Sequence, residues 1–262
     1  MRILIAGKGG TGKTSLSAAL SLLLSEIGFK VLALDTDSTP NLAQSLGIDP
    51  SIADEITPLA MNDELIRERT GVLPGSGWGA IFKLNPKVND IIEKFGVKIN
   101  DNLSLVVVGS IDASKQGCLC PAIALAKRFI RYSLRRFDGF VIVDSEAGAE
   151  VFGRGLAENF DMMFTICEPT VKSIKISRNM IRLAKQLDIK RSIVVVNKVI
   201  DNELAMKLAE NIISGAPIHI IHYDDNLPAI EYNGYGINKL PKESRFMIDT
   251  KQLIDKYILI ES

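Results

Sequence analysis

Short, nearly continuous apolar runs alternate with longer stretches of helical periodicity along the whole chain. Arg2–Ala6, Lys30–Leu34, Leu103–Val108, Gly139–Val143, Met162–Cys167, Ser192–Val196 and Pro217–Ile221 are the predicted strands. Their apolar residues are consecutive instead of alternating, as expected when helices cover both faces of a parallel sheet. The spacing predicts helices over Lys13–Ile27, Pro121–Arg136, Val171–Leu187, Asn202–Ile212 and Lys242–Tyr257. In Val171–Leu187, for example, Ile174, Ile181, Ala184 and Leu187 recur at helical intervals after a capped start at Glu168-Pro-Thr170. Strand–helix–strand repetition implies an α/β fold: a doubly wound, mostly parallel seven-stranded sheet in a single domain over residues 1–262. Right-handed crossovers gather the carboxyl ends of the strands at one edge, where ligands bind.

One interval breaks the rhythm. Between Thr36 and Asn102 only short helical pieces (Asp63–Arg69, Lys87–Phe95) and a glycine-rich stretch around Trp78 are legible, with no convincing strand. Residues 38–102 are therefore expected to form a helical insertion beside the ligand edge. Composition narrows the class: of 262 residues 47% are apolar and 24% charged, which suits a folded globule. Lys plus Arg equals Asp plus Glu at 31 each, so no net field draws the chain to nucleic acid or an anionic membrane. Three cysteines cannot build a disulfide framework. Neither a secretory leader nor an apolar run of about 18 to 20 residues is evident. A soluble, cytoplasmic protein is expected.

The chemistry begins at Gly7-Lys-Gly-Gly-Thr-Gly-Lys-Thr14, between the first strand and the first helix. Its G-x-x-x-x-G-K-[ST] spacing is that of a P-loop. Glycines at 9, 10 and 12 let backbone N–H groups around Gly9, Gly10, Thr11 and Gly12 converge on phosphate oxygens. Lys13 adds a cation near the β- and γ-phosphates, the Thr14 hydroxyl can ligate Mg²⁺, and Ser15 continues the helix N-terminus that favours an anion. ATP or ADP with Mg²⁺ is the expected ligand. Acidic groups complete a hydrolysis site. Asp35 and Asp37 follow the second strand, where one carboxylate can serve the metal shell while the other positions water. Asp144 ends Phe140-Val-Ile-Val-Asp144, where a carboxylate holds Mg²⁺ through water.

Lys8 makes the loop K-G-G-x-G-K-[ST], which resembles the deviant P-loop ATPases of the MinD, ParA and nitrogenase iron protein family. The resemblance implies ATP hydrolysis by an ATP-dependent homodimer. It gives Lys8 a reach to the partner's nucleotide, Asp37 the orientation of water, and Asn197-Lys198 contact with adenine. A proline common after the family's next strand is replaced by His222. His219 and His222 read as packing residues.

Gly117-Cys118-Leu-Cys120-Pro121 adds what a generic member lacks. Pro121 suits the first position of a helix, so Cys120 falls near its N-cap, where thiol pKa values drop and soft metals are favoured. Two thiolates cannot close a four-coordinate site, but two copies of the chain supply four. Ni²⁺ and Zn²⁺ both fit that donor set. Cys167, ending an apolar strand, reads as a core thiol. With these residues, Ile56-Thr-Pro-Leu59, Leu84-Asn-Pro-Lys-Val88, Glu146-Ala-Gly148 and Gly153-Arg-Gly155, the chain is similar to CooC-type nickel-insertion ATPases. That resemblance implies nickel held between protomers by Cys118 and Cys120, and delivery to carbon monoxide dehydrogenase or a related client such as acetyl-CoA synthase. Val151 stands where family members often carry histidine.

Two rival readings meet the same residues. A MinD- or ParA-type positioning ATPase would bind membrane or DNA, but the apolar face Phe246, Ile248, Leu253, Ile254, Tyr257 and Ile258 lacks a strong basic flank and is expected to dock on the core. Arg128, Arg131, Arg135 and Arg136 cluster on one helix as a solvated or partner-facing surface. An iron–sulfur reductase would need a cysteine after Asp144, and residues 144–156 contain none.

Overall fold

The computed structural model describes residues 1–73, 82–110, 120–146 and 148–259. In chain order, β1 (Arg2–Gly7), α1 (Lys13–Glu26) and β2 (Val31–Asp35) open the fold. Short helices α2 (Leu42–Ser45), α3 (Pro50–Ala53), α4 (Asp63–Thr70) and α5 (Ile91–Phe95) lead to β3 (Val97–Lys98) and β4 (Leu103–Val107). Then come α6 (Cys120–Arg136), β5 (Phe140–Asp144), a 3₁₀ turn (Ala149–Phe152), α7 (Arg154–Ala157) and β6 (Met162–Cys167). The chain finishes with α8 (Val171–Gln186), β7 (Arg191–Val199), α9 (Asn202–Ile212), β8 (Ile218–His222), α10 (Asn226–Tyr232) and α11 (Arg245–Tyr257).

The strands form one sheet in the order β3-β4-β2-β5-β1-β6-β7-β8. All seven predicted strands are present and pair in parallel, as in Ile3↔Ile142 and Ala33↔Leu105. The eighth, β3, pairs antiparallel with β4 through Val97↔Leu105 and Lys98↔Ser104. It corrects the expectation of seven strands and of none between Thr36 and Asn102. Two residues are too few to leave a periodic signature.

Alternate residues of each strand feed two opposite cores. Ile3, Ile5, Ala33 and Ile142 pack with Leu16, Leu20 and Leu24 of α1 and with Phe246, Leu253 and Ile254 of α11. On the other face Leu4, Leu32 and Val141 meet Leu125, Phe129 and Leu134 of α6 and Leu156 of α7. Val194 and Val196 meet Ile174 of α8 and Ala205 of α9. The leucines of α1 are four apart, so they form one stripe. α11 begins three residues later than its periodicity suggests because Ser244 caps it, accepting from the Met247 N–H at 3.4 Å. Its apolar face lies on the core, with Phe246 and Leu253 fully buried, except that Ile248, expected on that face, is exposed. No helix among the described residues is long and apolar enough to cross a membrane.

Candidate functional site

The carboxyl ends of β1, β2, β5 and β7 converge around the loop between β1 and α1. That loop turns through left-handed glycines, with φ of 80° at Gly10 and 96° at Gly12. A Cβ on Gly12 would stand 2.3 Å from Nδ2 of Asn197, so a side chain there would strain the backbone and push the Asn197 amide aside. The same Asn197 amide donates to the Thr11 carbonyl at 2.8 Å. Lys198 Nζ donates to the Gly10 carbonyl at 2.8 Å and pairs with Glu168 at 2.9 Å. The expected Asn-Lys pair thus lies inside β7, at its irregularity between Val196 and Val199, with Lys198 at φ 60°. The strand therefore runs beyond the predicted Val196, and its bulge turns both side chains onto the loop. Lys13 is buried at 7% exposure, whereas Lys8, Gly9 and Gly10 are exposed.

Beneath the loop sit the acidic groups. Asp35 and Asp144 are paired directly across β2 and β5, and both are buried. Burial first, and then the charge of Asp144, pushes Asp35 up to about 7. Its two oxygens accept the N–H groups of Asp37 at 3.1 Å and Leu42 at 2.9 Å, which ties down the loop carrying Asp37. Burial likewise raises Asp144 to about 6, against the opposing pull of Thr14, Lys13 and Ser17. Ser17 donates to its Oδ1 at 3.1 Å, while Oδ2 is buried with no hydrogen-bond partner. An orphaned carboxylate oxygen beside the Thr14 hydroxyl fits a cation held through water. Asp37 is half-buried and accepts the Thr39 N–H at 3.0 Å. Ser38 bridges from there to Glu146, beyond β5, at 2.8 Å.

A cleft of about 510 Å³ opens from this loop, lined by Gly10, Gly12, Lys13, Thr14, Ser15, Asn197 and Lys198. Its far wall, from α2, the β8–α10 turn, α10 and the residues just after it, includes Gln44, Tyr223, Pro228, Glu231 and Tyr235, none of which the sequence singled out. Asp224 builds this wall by accepting the Asn226 N–H at 2.9 Å and the Phe246 N–H at 3.0 Å. The run Tyr-Asp-Asp-Asn after a strand was the available signal for that turn. His222 also lines the cleft, its Nδ1 2.7 Å from Asp249. His219 packs as expected, buried and bonded to the Asp249 carbonyl. Cys167 is buried, and burial pushes its thiol up to about 11. Cys118 lies outside the described residues. Cys120 is the first residue of α6, one position further in than the expected cap, which makes Pro121 the second.

Comparison with known proteins gives this arrangement a family. Residues 3–236 match the CobQ/CobB/MinD/ParA nucleotide binding domain. The chain belongs to that family. Members of the CobQ/CobB/MinD/ParA family of the MinD and ParA kind hydrolyse ATP, and this chain is an ATPase among them. It is 41% identical over 240 residues to an uncharacterized ATP-binding protein of Methanocaldococcus jannaschii, covering 91% of each chain. It is 35% identical over 199 residues to the carbon monoxide dehydrogenase accessory protein CooC of Rhodospirillum rubrum, covering 76% of this chain and 74% of that one. Among solved structures, the septum site-determining protein MinD of Pyrococcus horikoshii, complexed with Mg-ADP, superimposes with a TM-score of 0.67. That likeness, at 21% identity over 100% of this chain and 98% of the other, concerns the fold.

Proposed function

We propose that this family member is a homodimeric metallochaperone that couples ATP hydrolysis to nickel delivery into carbon monoxide dehydrogenase or a related nickel enzyme. The observation that carries the reading is the similarity to a carbon monoxide dehydrogenase accessory protein, in a chain whose sequence carries a C-x-C pair ending at Cys120, the first residue of α6. The loop amides and Lys13 bind the phosphates of ATP. Thr14 and Asp144 would hold Mg²⁺, which neutralises phosphate charge when bound. Asp37 orients the attacking water, and Asp35 fixes the loop that carries Asp37. Asn197 and Lys198 brace the phosphate loop from behind, beside the part of the cleft that takes the base. Lys8 reaches the nucleotide of the second copy. Cys118 and Cys120 from both copies take the metal cargo as a four-thiolate site, and Ni²⁺ or Zn²⁺ suits those donors.

Titration of the reduced protein with Ni²⁺, read by calorimetry and by sedimentation mass, tests this reading. One ion per two chains is expected, with loss of both binding and metal-driven dimerisation in Cys118→Ala/Cys120→Ala. Unchanged stoichiometry in that variant would refute the thiolate site.

A further inference from the structure

The chain is neutral overall, yet its charge is segregated. α6 and α8 each carry five cations and no carboxylate. Both helices lie on the same face of the sheet, with α7 between them. Arg135 Nε donates to Asn159 at 2.9 Å, and Arg154 donates to the Gln186 carbonyl at 3.1 Å, so the three helices are laced together. Among the described residues no cation of α6 or α8 is in an ion pair. Arg128 and Arg131, half-buried on adjacent turns, have Nε atoms that are out of solvent and without an acceptor. Burial of the Nε end restrains each side chain, so less rotamer freedom is lost when the remaining N–H groups of the guanidinium meet a carboxylate.

We infer that the α6–α7–α8 face docks an acidic surface of a folded protein, and, resting on the function proposed above, that this protein is the nickel enzyme served by the chain. Exposed Glu150 and Glu158 lie between the two basic helices. They repel a continuous phosphodiester backbone or an anionic bilayer, but they suit a partner surface of mixed sign. The location serves delivery. α6 begins at Cys120, and Arg128 is eight residues on, about 12 Å along the axis. The face also includes the 3₁₀ turn Ala149–Phe152, which packs against α7 and α8 and lies five residues after Asp144 in sequence.

Binding of the full-length protein to nickel-free carbon monoxide dehydrogenase is measured by interferometry in 50 and 300 mM salt. A 30-base-pair DNA duplex and phosphatidylglycerol vesicles are run in parallel. The exposed pair Lys175→Glu/Arg182→Glu and the uncharged Arg128→Gln/Arg131→Gln are each expected to raise Kd about tenfold or more. ATPase activity stays unchanged in both, as does binding by Lys251→Glu on the opposite face. Wild-type strength in both arginine-containing variants overturns the docking face but leaves the chaperone reading standing. No enzyme binding by wild type, alongside intact nickel binding, overturns the client and the face together. Charge-dependent binding to DNA or vesicles in place of the enzyme overturns the acidic-protein assignment.

Discussion

Two residues of the site carry sharply different burdens. Lys13 is buried beneath the loop, where its charge opposes the rise of the Asp144 pKa and, on the reading proposed above, meets the phosphates in a low-dielectric site. Lys13→Ala is expected to lower kcat for ATP hydrolysis about 10²-fold, measured by phosphate release at saturating ATP. Asp35 has the opposite problem. Its carboxyl titrates near 7 in the folded chain against 3.8 ordinarily, so the folded state holds its proton more tightly than the unfolded one. Its contribution to stability is therefore complete below about 4 and is lost as pH rises through about 7. The melting temperature of the nucleotide-free protein should fall across that window. Asp35→Asn should flatten the fall, and parallel melting curves for the two proteins would contradict it.

At the scale of elements, the site depends on a strand gripping a loop. The β7 bulge presents Asn197 to Thr11 and Lys198 to Gly10, so the loop is shaped before any phosphate arrives. Gly12→Ala places a methyl against Asn197 in a left-handed conformation, which costs about 1–3 kcal/mol locally. It should abolish ADP binding in calorimetry while circular dichroism still reports a folded sheet. Asn197→Ala removes one neutral hydrogen bond and should weaken ADP about tenfold. The glycine pattern and the strand-end acids were legible because their chemistry requires fixed spacing. The bulge was not, since Val-Asn-Lys-Val reads equally well as a strand ending at Val196. Nor was the distant cleft wall, because Tyr223 in the β8–α10 turn and Pro228 and Glu231 on the short α10 come together only through tertiary placement. The seven long strands declared themselves through unbroken β-branched and leucine runs. The two-residue β3 exists only because β4 offers it an edge.

For the whole molecule, the reading proposed above has the two lysines of the phosphate loop divide the work between a chain and its copy. Lys13 is buried against its own carboxylates, but Lys8 is exposed and its side chain has no bonded partner among the described residues. An ammonium so near a polyphosphate site contributes most when a second surface removes it from water, because screening otherwise leaves it worth little. Closing two such faces together would bring each Lys8 to the other chain's nucleotide and, on the reading proposed above, draw both C-x-C pairs toward one ion. Nucleotide and metal then become linked ligands of one dimer, and each must raise the apparent affinity for the other. Sedimentation of a hydrolysis-deficient Asp37→Ala protein with ATP should give dimer mass, and adding Lys8→Ala should return it to monomer with ADP affinity unchanged. Ni²⁺ titrated into the Asp37→Ala protein should bind more tightly with ATP than with ADP. Equal affinity in the two nucleotide states would show that the thiols and the phosphates share a chain without sharing an equilibrium.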